Sequence, residues 1–491
     1  MQSQDGLTAA GQNMLDIAIV GGGLAGLSCA VRAMELGAQV CVFEQGDSER
    51  YPCNSRYSGG MFHLDYLDIG LPEALLASTL LERCPADVDR ELVELIARHA
   101  RRAVGWLQKA GGARFIRVGP QSYEKWVLAP PRPPKPGLVH PGRGPDVVLN
   151  TLAARLRNAG QTIQRGITVV DVATAPDGYS VSVLHRGSIA RVRARAVVFA
   201  DGGFQGNQAM VSRHIAPFAS RVLQRNAGTA QGSGVSIASA LGARLSPLGS
   251  FYGHLVAQKA LHDEGLWPYP MIDGLAKAGV LIGPDGRRFT DEGRTGVYLA
   301  NAVAKRADPA SAIVVFDDRT WWSTGRSTRV PPNPVLTHRG GCLWSASSID
   351  ELATRAGVDH TTLNATIAAH NGFIQSHGSE PMEPPRSWRI GSAHPVATPP
   401  FHAIPVCAGI TYTMGGIAIT TRGEVRSNGG APLPGLYAAG ATVGGIEGGE
   451  FSFYMGGLCK ALVLGLVSAE NAIVYLRNAH PGSDHRHKEH T

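Results

Sequence analysis

Residues 16–44, DIAIVGGGLAGLSCAVRAMELGAQVCVFE, decide the fold. The apolar run 17–20 predicts a buried strand, 24–35 a helix, Gly37 a break and 39–43 a second strand, which together make a βαβ unit. Gly21, Gly23 and Gly26 form GxGxxG directly between strand and helix. Gly21 and Gly23 permit a tight turn and close approach of a pyrophosphate, and Gly26 lets the helix pack on the strand. The helix N-terminus at Leu24 and Ala25 faces the phosphate charge. Glu44 follows Gly26 by 18 residues, where a carboxylate accepts both ribose hydroxyls of an adenosine. NAD and FAD both use such a unit, so a second feature must choose between them.

Working outward, a chain of 491 residues predicts two or three domains. Its 61 glycines exceed average usage, which fits a backbone that must often approach a ligand closely. The formal charge is +7 and the pI about 9.1. No basic run interleaved with aromatics tracks a nucleic-acid backbone. The balance suits acidic small molecules or simple solubility. Seven cysteines occur singly, without a CxxC pair. This argues for a reducing, cytoplasmic setting and against a built-in iron–sulfur or haem relay, so electrons leave through a diffusible acceptor or another chain. The polar start at 1–13 does not read as a signal peptide, and no apolar run is expected to reach membrane-spanning length.

The proline-rich stretch 130–137 predicts an extended surface loop. A helix at 145–159 and strands at 162–172, 179–184 and 196–199 continue the nucleotide-binding sheet. From 245 to 392 the texture changes, with helical patterns at 349–356 and 361–370. Dense glycine returns from 405 to 465. The expected organisation is an α/β FAD-binding domain of Rossmann type at 1–244 and 393–478, an inserted α+β cap at 245–392, and a disordered tail at 479–491 carrying His480, His485, His487 and His490.

The second feature is a series of ordered blocks: Gly21–Gly26, residues 54–60 (NSRYSGG), 200–204 (ADGGF), 231–234 (QGSG), 288–292 (RFTDE), 413–416 (TMGG) and 435–440 (GLYAAG). Through them the chain resembles the fumarate reductase and succinate dehydrogenase flavoprotein family, over nearly its whole length. Its motifs lie nearest the tricarballylate and 3-ketosteroid dehydrogenase branches. The resemblance implies a glutathione-reductase-like fold and extended FAD, with the isoalloxazine held by Ser58, Gly59, Gly60 and Gly456 to Leu458. The remaining cofactor positions it implies are Gln45, Asn54, Ser55, Val170, Ala200, Gly202, Gly203, Gly232, Gly440 and Gly457. Where the succinate dehydrogenase branch links FAD to a histidine, this chain reads Tyr51-Pro52-Cys53-Asn54, so non-covalent FAD is expected, with Cys53 a buried thiol.

The resemblance also implies substrate binding between the FAD domain and the cap. His254 falls at a carboxylate-binding histidine. Arg294 lies two residues from where a proton-moving arginine would fall, which is Gly296, and Arg288 is alternatively an ion-pair partner of Glu292. Tyr412 replaces a second substrate histidine, and Tyr454 replaces a carboxylate-clamping arginine. Losing that guanidinium weakens the grip on a second carboxylate and disfavours fumarate. A phenol with a backbone N–H can instead hold a carbonyl oxygen as it becomes enolate.

The expected activity is an FAD-dependent dehydrogenase, a desaturase of a C–C bond α,β to a ketone or carboxylate. In it Tyr454 stabilises the enolate, Tyr412 or Arg294 is the base and His254 anchors substrate. The alternatives are an enoate reductase of the fumarate or urocanate type running the other way, and a flavin electron-transfer subunit with no substrate of its own.

Overall fold

The computed structural model of the chain describes residues 14–133, 137, 139–388 and 391–479. The N-terminal stretch 1–13, residues 134–136 of the proline-rich loop and the four tail histidines lie outside them.

Strand Leu15–Val20 is buried at every position because it lies between two parallel neighbours, Val40–Glu44 and Ser188–Phe199. Continuous apolar strands of this kind suit a parallel sheet covered on both faces. The sheet runs Glu424–Arg426, Pro432–Ala438, Ser188–Phe199, Leu15–Val20, Val40–Glu44, Thr162–Arg165, parallel except at the first pair. The hairpin Thr168–Ala175 with Gly178–His185 adds antiparallel to Ser188–Phe199. That pairing makes Ser188–Phe199 longer than the four-residue strand the sequence predicts. Its first four residues are exposed or half-buried, its middle alternates, and only its last four residues form a continuous buried run. The expected strand 162–172 is broken in two at Gly166, where φ is +67°.

Helix Leu24–Glu35 packs against the C-terminal helix Gly457–Ala479 and against Gly144–Asn158. Gly457–Ala479 corrects the expectation about apolar runs: this 23-residue helix, whose most apolar 18-residue window has mean hydropathy 1.5, is long and apolar enough to cross a membrane. Here 72% of its most apolar window is buried inside the protein, where it packs as a core helix.

A second sheet has Phe401–Thr413 at its centre, paired with Phe251–Ala257, Ala312–Asp317, Trp344–Ala346 and Leu223–Gln224, with Val280–Ile282 at an edge. Its strands therefore span 223–413, wider than 245–392, and the chain rejoins the first sheet only at Glu424–Arg426. Phe401–Thr413 is buried almost throughout, as a central strand must be. Helices Ile349–Ala356 and His360–Gln375 close a separate apolar cluster on this sheet.

Candidate active site

One continuous cavity has both sheets in its walls. On the first-sheet side its wall is mostly backbone. Gly21 has φ +99°, and a Cβ there would lie 2.6 Å from the Asp201 Cα. A Cβ on Gly26 would lie 1.9 Å from the Gly21 carbonyl oxygen, so the helix can start this close to the strand only with glycine. Gly26 thus shapes the wall from beneath.

Glu44 is 5% exposed at the end of its strand. Its Oε2 accepts from the Gly22 amide and its Oε1 from the Gly46 amide, both at 2.8 Å. Burial raises its carboxyl above the ordinary value, opposed by those two amides. Each oxygen keeps acceptor capacity, which is what a ribose diol requires. Tyr51 lies under the glycine turn and donates to the Gly22 carbonyl at 2.7 Å. Ser55 Oγ accepts from the Leu24 amide at 3.0 Å. Asn54 ties the two sheets, donating to the Thr411 carbonyl at 2.9 Å and accepting from the Ala227 amide at 3.0 Å. A glycine turn at a helix N-terminus with an oriented strand-end carboxylate fits a dinucleotide.

Gly21, Gly23, Leu24, Ala25, Glu44, Gln45, Asn54, Ser55, Ser58, Gly59 and Gly60 all line the cavity, as do Ala200, Gly202, Gly440, Gly457 and Leu458. Five other predicted positions lie off its surface: Gly26, Gly203, Gly232, Gly456 and Val170. Gly203 abuts Thr413, where a Cβ would come within 2.0 Å of the Oγ1. Gly232 caps helix Ser233–Ala240 with φ +77°. Val170 is 40% exposed at a bulge, where the register shifts between Val169 and Asp171, while Val169 lines the cavity. Cys53 also lines it, with burial pushing its thiol up to about 11, so it is protonated at neutral pH.

The other end of the cavity is aromatic. Tyr454 stacks on Tyr252 with ring centroids 4.0 Å apart and planes 13° from parallel. Tyr412 lies 5.3 Å from Tyr252, while His63 and Tyr66 lie 5.6 and 5.8 Å from Tyr454. Burial, before any neighbouring group, holds the Tyr412 and Tyr454 phenols well above the ordinary tyrosine value, so both remain hydrogen-bond donors at neutral pH. Burial lowers His63 to about 4, and its Nδ1 accepts from the Tyr66 amide at 3.0 Å, so it is neutral.

His254 lines the cavity, but both ring nitrogens are engaged: Nδ1 with the Asp273 carboxylate and Nε2 with the Tyr252 hydroxyl at 3.1 Å. Arg294 does not reach the cavity. It pairs with Asp291 at 3.1 Å and lies 3.8 Å over the Phe451 ring. The turn that Asp291 makes with the Gly293 amide, followed by the start of helix Gly296–Ala304, carries the side chain away. Arg288 is the ion-pair partner of Glu292, with Nε 3.0 and 3.1 Å from its two oxygens.

A polar centre behind Tyr412 escaped the sequence reading. Its hydroxyl donates to Glu447 Oε1 at 2.8 Å, and the Met455 amide donates to the same oxygen at 3.0 Å. Lys460 pairs with Glu447 Oε2, and both side chains are fully buried. The available signal was a lone lysine inside the apolar run Leu458 to Leu464, together with an acid inside Gly444 to Gly449.

Comparison with known proteins agrees with this geometry. The chain is 25% identical to the NADH:fumarate oxidoreductase of Klebsiella pneumoniae over 92% of its own length, although it spans only 47% of that protein. It is 26% identical to the fumarate reductase (cytochrome) of Shewanella frigidimarina, covering 96% of this chain and 80% of the other. Its fold matches the 3-ketosteroid delta1-dehydrogenase of Sterolibacterium denitrificans with a TM-score of 0.70 at 17% identity, over 94% of this chain and all of that one. The family model described as FAD binding domain matches residues 16–451. The chain belongs to this FAD binding domain family, and FAD is its cofactor.

Proposed function

We propose that this FAD-dependent oxidoreductase is a dehydrogenase that desaturates a C–C bond α,β to the carbonyl of a ketone or carboxylate. The reading is carried by two protonated phenols, Tyr454 and Tyr412, in one aromatic cavity that continues into the glycine wall. FAD, held non-covalently by the Gly21–Gly26 turn, Glu44 and the 58–60 and 456–458 loops, supplies the acceptor for the hydride leaving the β carbon.

Tyr454 donates its hydroxyl hydrogen bond to the substrate carbonyl oxygen as negative charge builds there. Tyr412 accepts the α proton. A free Tyr412 phenolate is disfavoured by burial, so its own proton moves to Glu447, to which it is already hydrogen-bonded. Glu447, paired on its other oxygen with Lys460, receives it. His254, held by Asp273, acts on the substrate through Tyr252, whose hydroxyl it fixes. Arg294 has no part in proton transfer. The second sheet acts as the cap that excludes water. Electrons leave through a diffusible or protein acceptor, and the seven unpaired cysteines support a reducing compartment.

Reduction of an enoate is the second reading, supported by the relatives named NADH:fumarate oxidoreductase and fumarate reductase (cytochrome). The same residues serve either direction. Anaerobic mixing with cyclic ketones and tricarboxylates tests the choice: the proposal expects bleaching of the flavin band near ~450 nm. Flavin that no saturated compound bleaches, but that unsaturated carboxylates reoxidise after chemical reduction, would favour the reductase.

A further inference from the structure

Two arginines in the same cavity have no carboxylate partner among the described residues. Arg225, beside the strand Leu223–Gln224, donates to Thr411 Oγ1 at 3.2 Å and approaches the Pro268 carbonyl at 3.5 Å. Its Nε is buried with no protein partner. Arg132 donates to the Gly137 carbonyl at 2.7 Å and lies 5.4 Å from the Tyr269 ring centroid. The two guanidiniums thus touch the consecutive residues Pro268 and Tyr269, and both line the cavity. Burial and the charge of Arg225 both lower Arg132, so each destabilises the other. Arg143, tied to the Ser58 and Val139 carbonyls, adds a third positive charge nearby.

The contrast with Arg56, Arg288 and Arg386, which are buried, is informative. Arg56 is matched by Asp146, and Arg288 and Arg386 by Glu292. An arginine taken out of water without a carboxylate carries a desolvation cost, which a ligand anion can offset through charge-assisted, often bidentate hydrogen bonds. Arg225 also acts electrostatically on Tyr252, which stacks on Tyr454, so the cationic region adjoins the aromatic one.

We infer that Arg132 and Arg225 form an anion subsite, and that the substrate is a flat, cyclic or aromatic carbonyl compound bearing a carboxylate remote from the bond that is oxidised. The inference rests on the proposed reading of Tyr454 as the carbonyl-binding group. It goes beyond that reading by requiring a second, charged recognition element.

The test uses purified holoenzyme with 3-oxocyclohexanecarboxylate and its neutral methyl ester. Two readouts are followed, perturbation of the oxidised flavin spectrum on binding and anaerobic bleaching. The acid is expected to act at concentrations at least about tenfold lower than the ester, since only the acid can accept charge-assisted bonds from the guanidiniums. Arg225→Gln and Arg132→Gln should each erase that preference, so that acid and ester act at similar concentrations, while leaving flavin content unchanged. Equal response to acid and ester in the parent would overturn the subsite and leave the desaturase reading intact. Loss of flavin from either variant would overturn it in favour of arginines that hold FAD phosphate. Arginine-dependent binding of the acid without bleaching by either compound would uphold the subsite and count against the desaturase.

Discussion

The two ends of the cavity are built by different means. At the glycine end the wall is backbone: positive φ at Gly21, Gly60, Gly202 and Gly440, and approaches that a single added carbon would block. At the tyrosine end it is side chain, contributed by residues 63, 66, 252, 412 and 454 from separate segments. Backbone constraints tolerate only particular residues at fixed spacing, whereas an aromatic wall can be assembled from many combinations. One scaffold can therefore keep its cofactor while its substrate end changes.

The largest effect that would sharpen this contrast is expected at the glycine end. Glu44→Arg removes the acceptor that orients the Gly22 and Gly46 amides and the expected ribose contacts. At about 1.5–3 kcal/mol for each charge-assisted bond, FAD affinity should fall by more than about a hundredfold. Purified variant should be colourless with an unchanged far-ultraviolet circular dichroism spectrum. A yellow variant would remove Glu44 from the cofactor site.

Next in size is the buried pair behind Tyr412. Lys460→Met removes one partner of a fully buried ion pair, which should cost about 3–5 kcal/mol of stability. The double variant Lys460→Met with Glu447→Gln should recover most of that loss in urea unfolding. Additive losses would show that the two residues are not coupled.

A smaller effect concerns acid. Burial lowers His370 to about 3 and His63 to about 4, against 6.5 in an unfolded chain. Between those values and 6.5 the unfolded state binds more protons, so stability is complete above pH 6.5 and falls as pH drops toward 4. Each histidine contributes at most roughly 1.4 kcal/mol per pH unit. His370→Asn should make the urea midpoint less dependent on pH across that window, and an unchanged dependence would place His370's titration elsewhere. The smallest effect is expected for Arg294→Gln. With its guanidinium on Phe451, flavin reduction should change by less than about twofold, within the range of ordinary surface substitutions. A large loss would return Arg294 to proton transfer.

Legibility in the sequence followed the same division. The βαβ unit, Glu44 and the glycine loops were readable because local spacing fixes them, and sixteen of the twenty-one expected cofactor positions line the cavity. Val170 lies off the cavity at a bulge, which local spacing does not reveal. The edges of the second sheet were obscured because Phe401–Thr413, its central strand, runs into the glycine-rich return. Arg294 was placed by linear spacing, which a turn at Asp291 overrides. Tyr252, Tyr66 and His63 gave no local signal, since isolated aromatics in a chain usually pack in a core. Glu447 and Lys460 were visible only as charges in apolar or glycine-rich runs, and their partnership depends on tertiary structure.

Stopped-flow reduction of Tyr454→Phe is the most direct test of the central claim, that a phenol on the aromatic wall stabilises charge on the substrate carbonyl. The substitution keeps the ring stacked on Tyr252 and removes only the hydroxyl. Flavin content and reoxidation after dithionite should match the parent. Reduction by a bleaching substrate should slow by about a hundredfold to a thousandfold, the usual effect of deleting one oxyanion donor. Reduction as fast as the parent's would contradict the account and leave Tyr454 a packing residue.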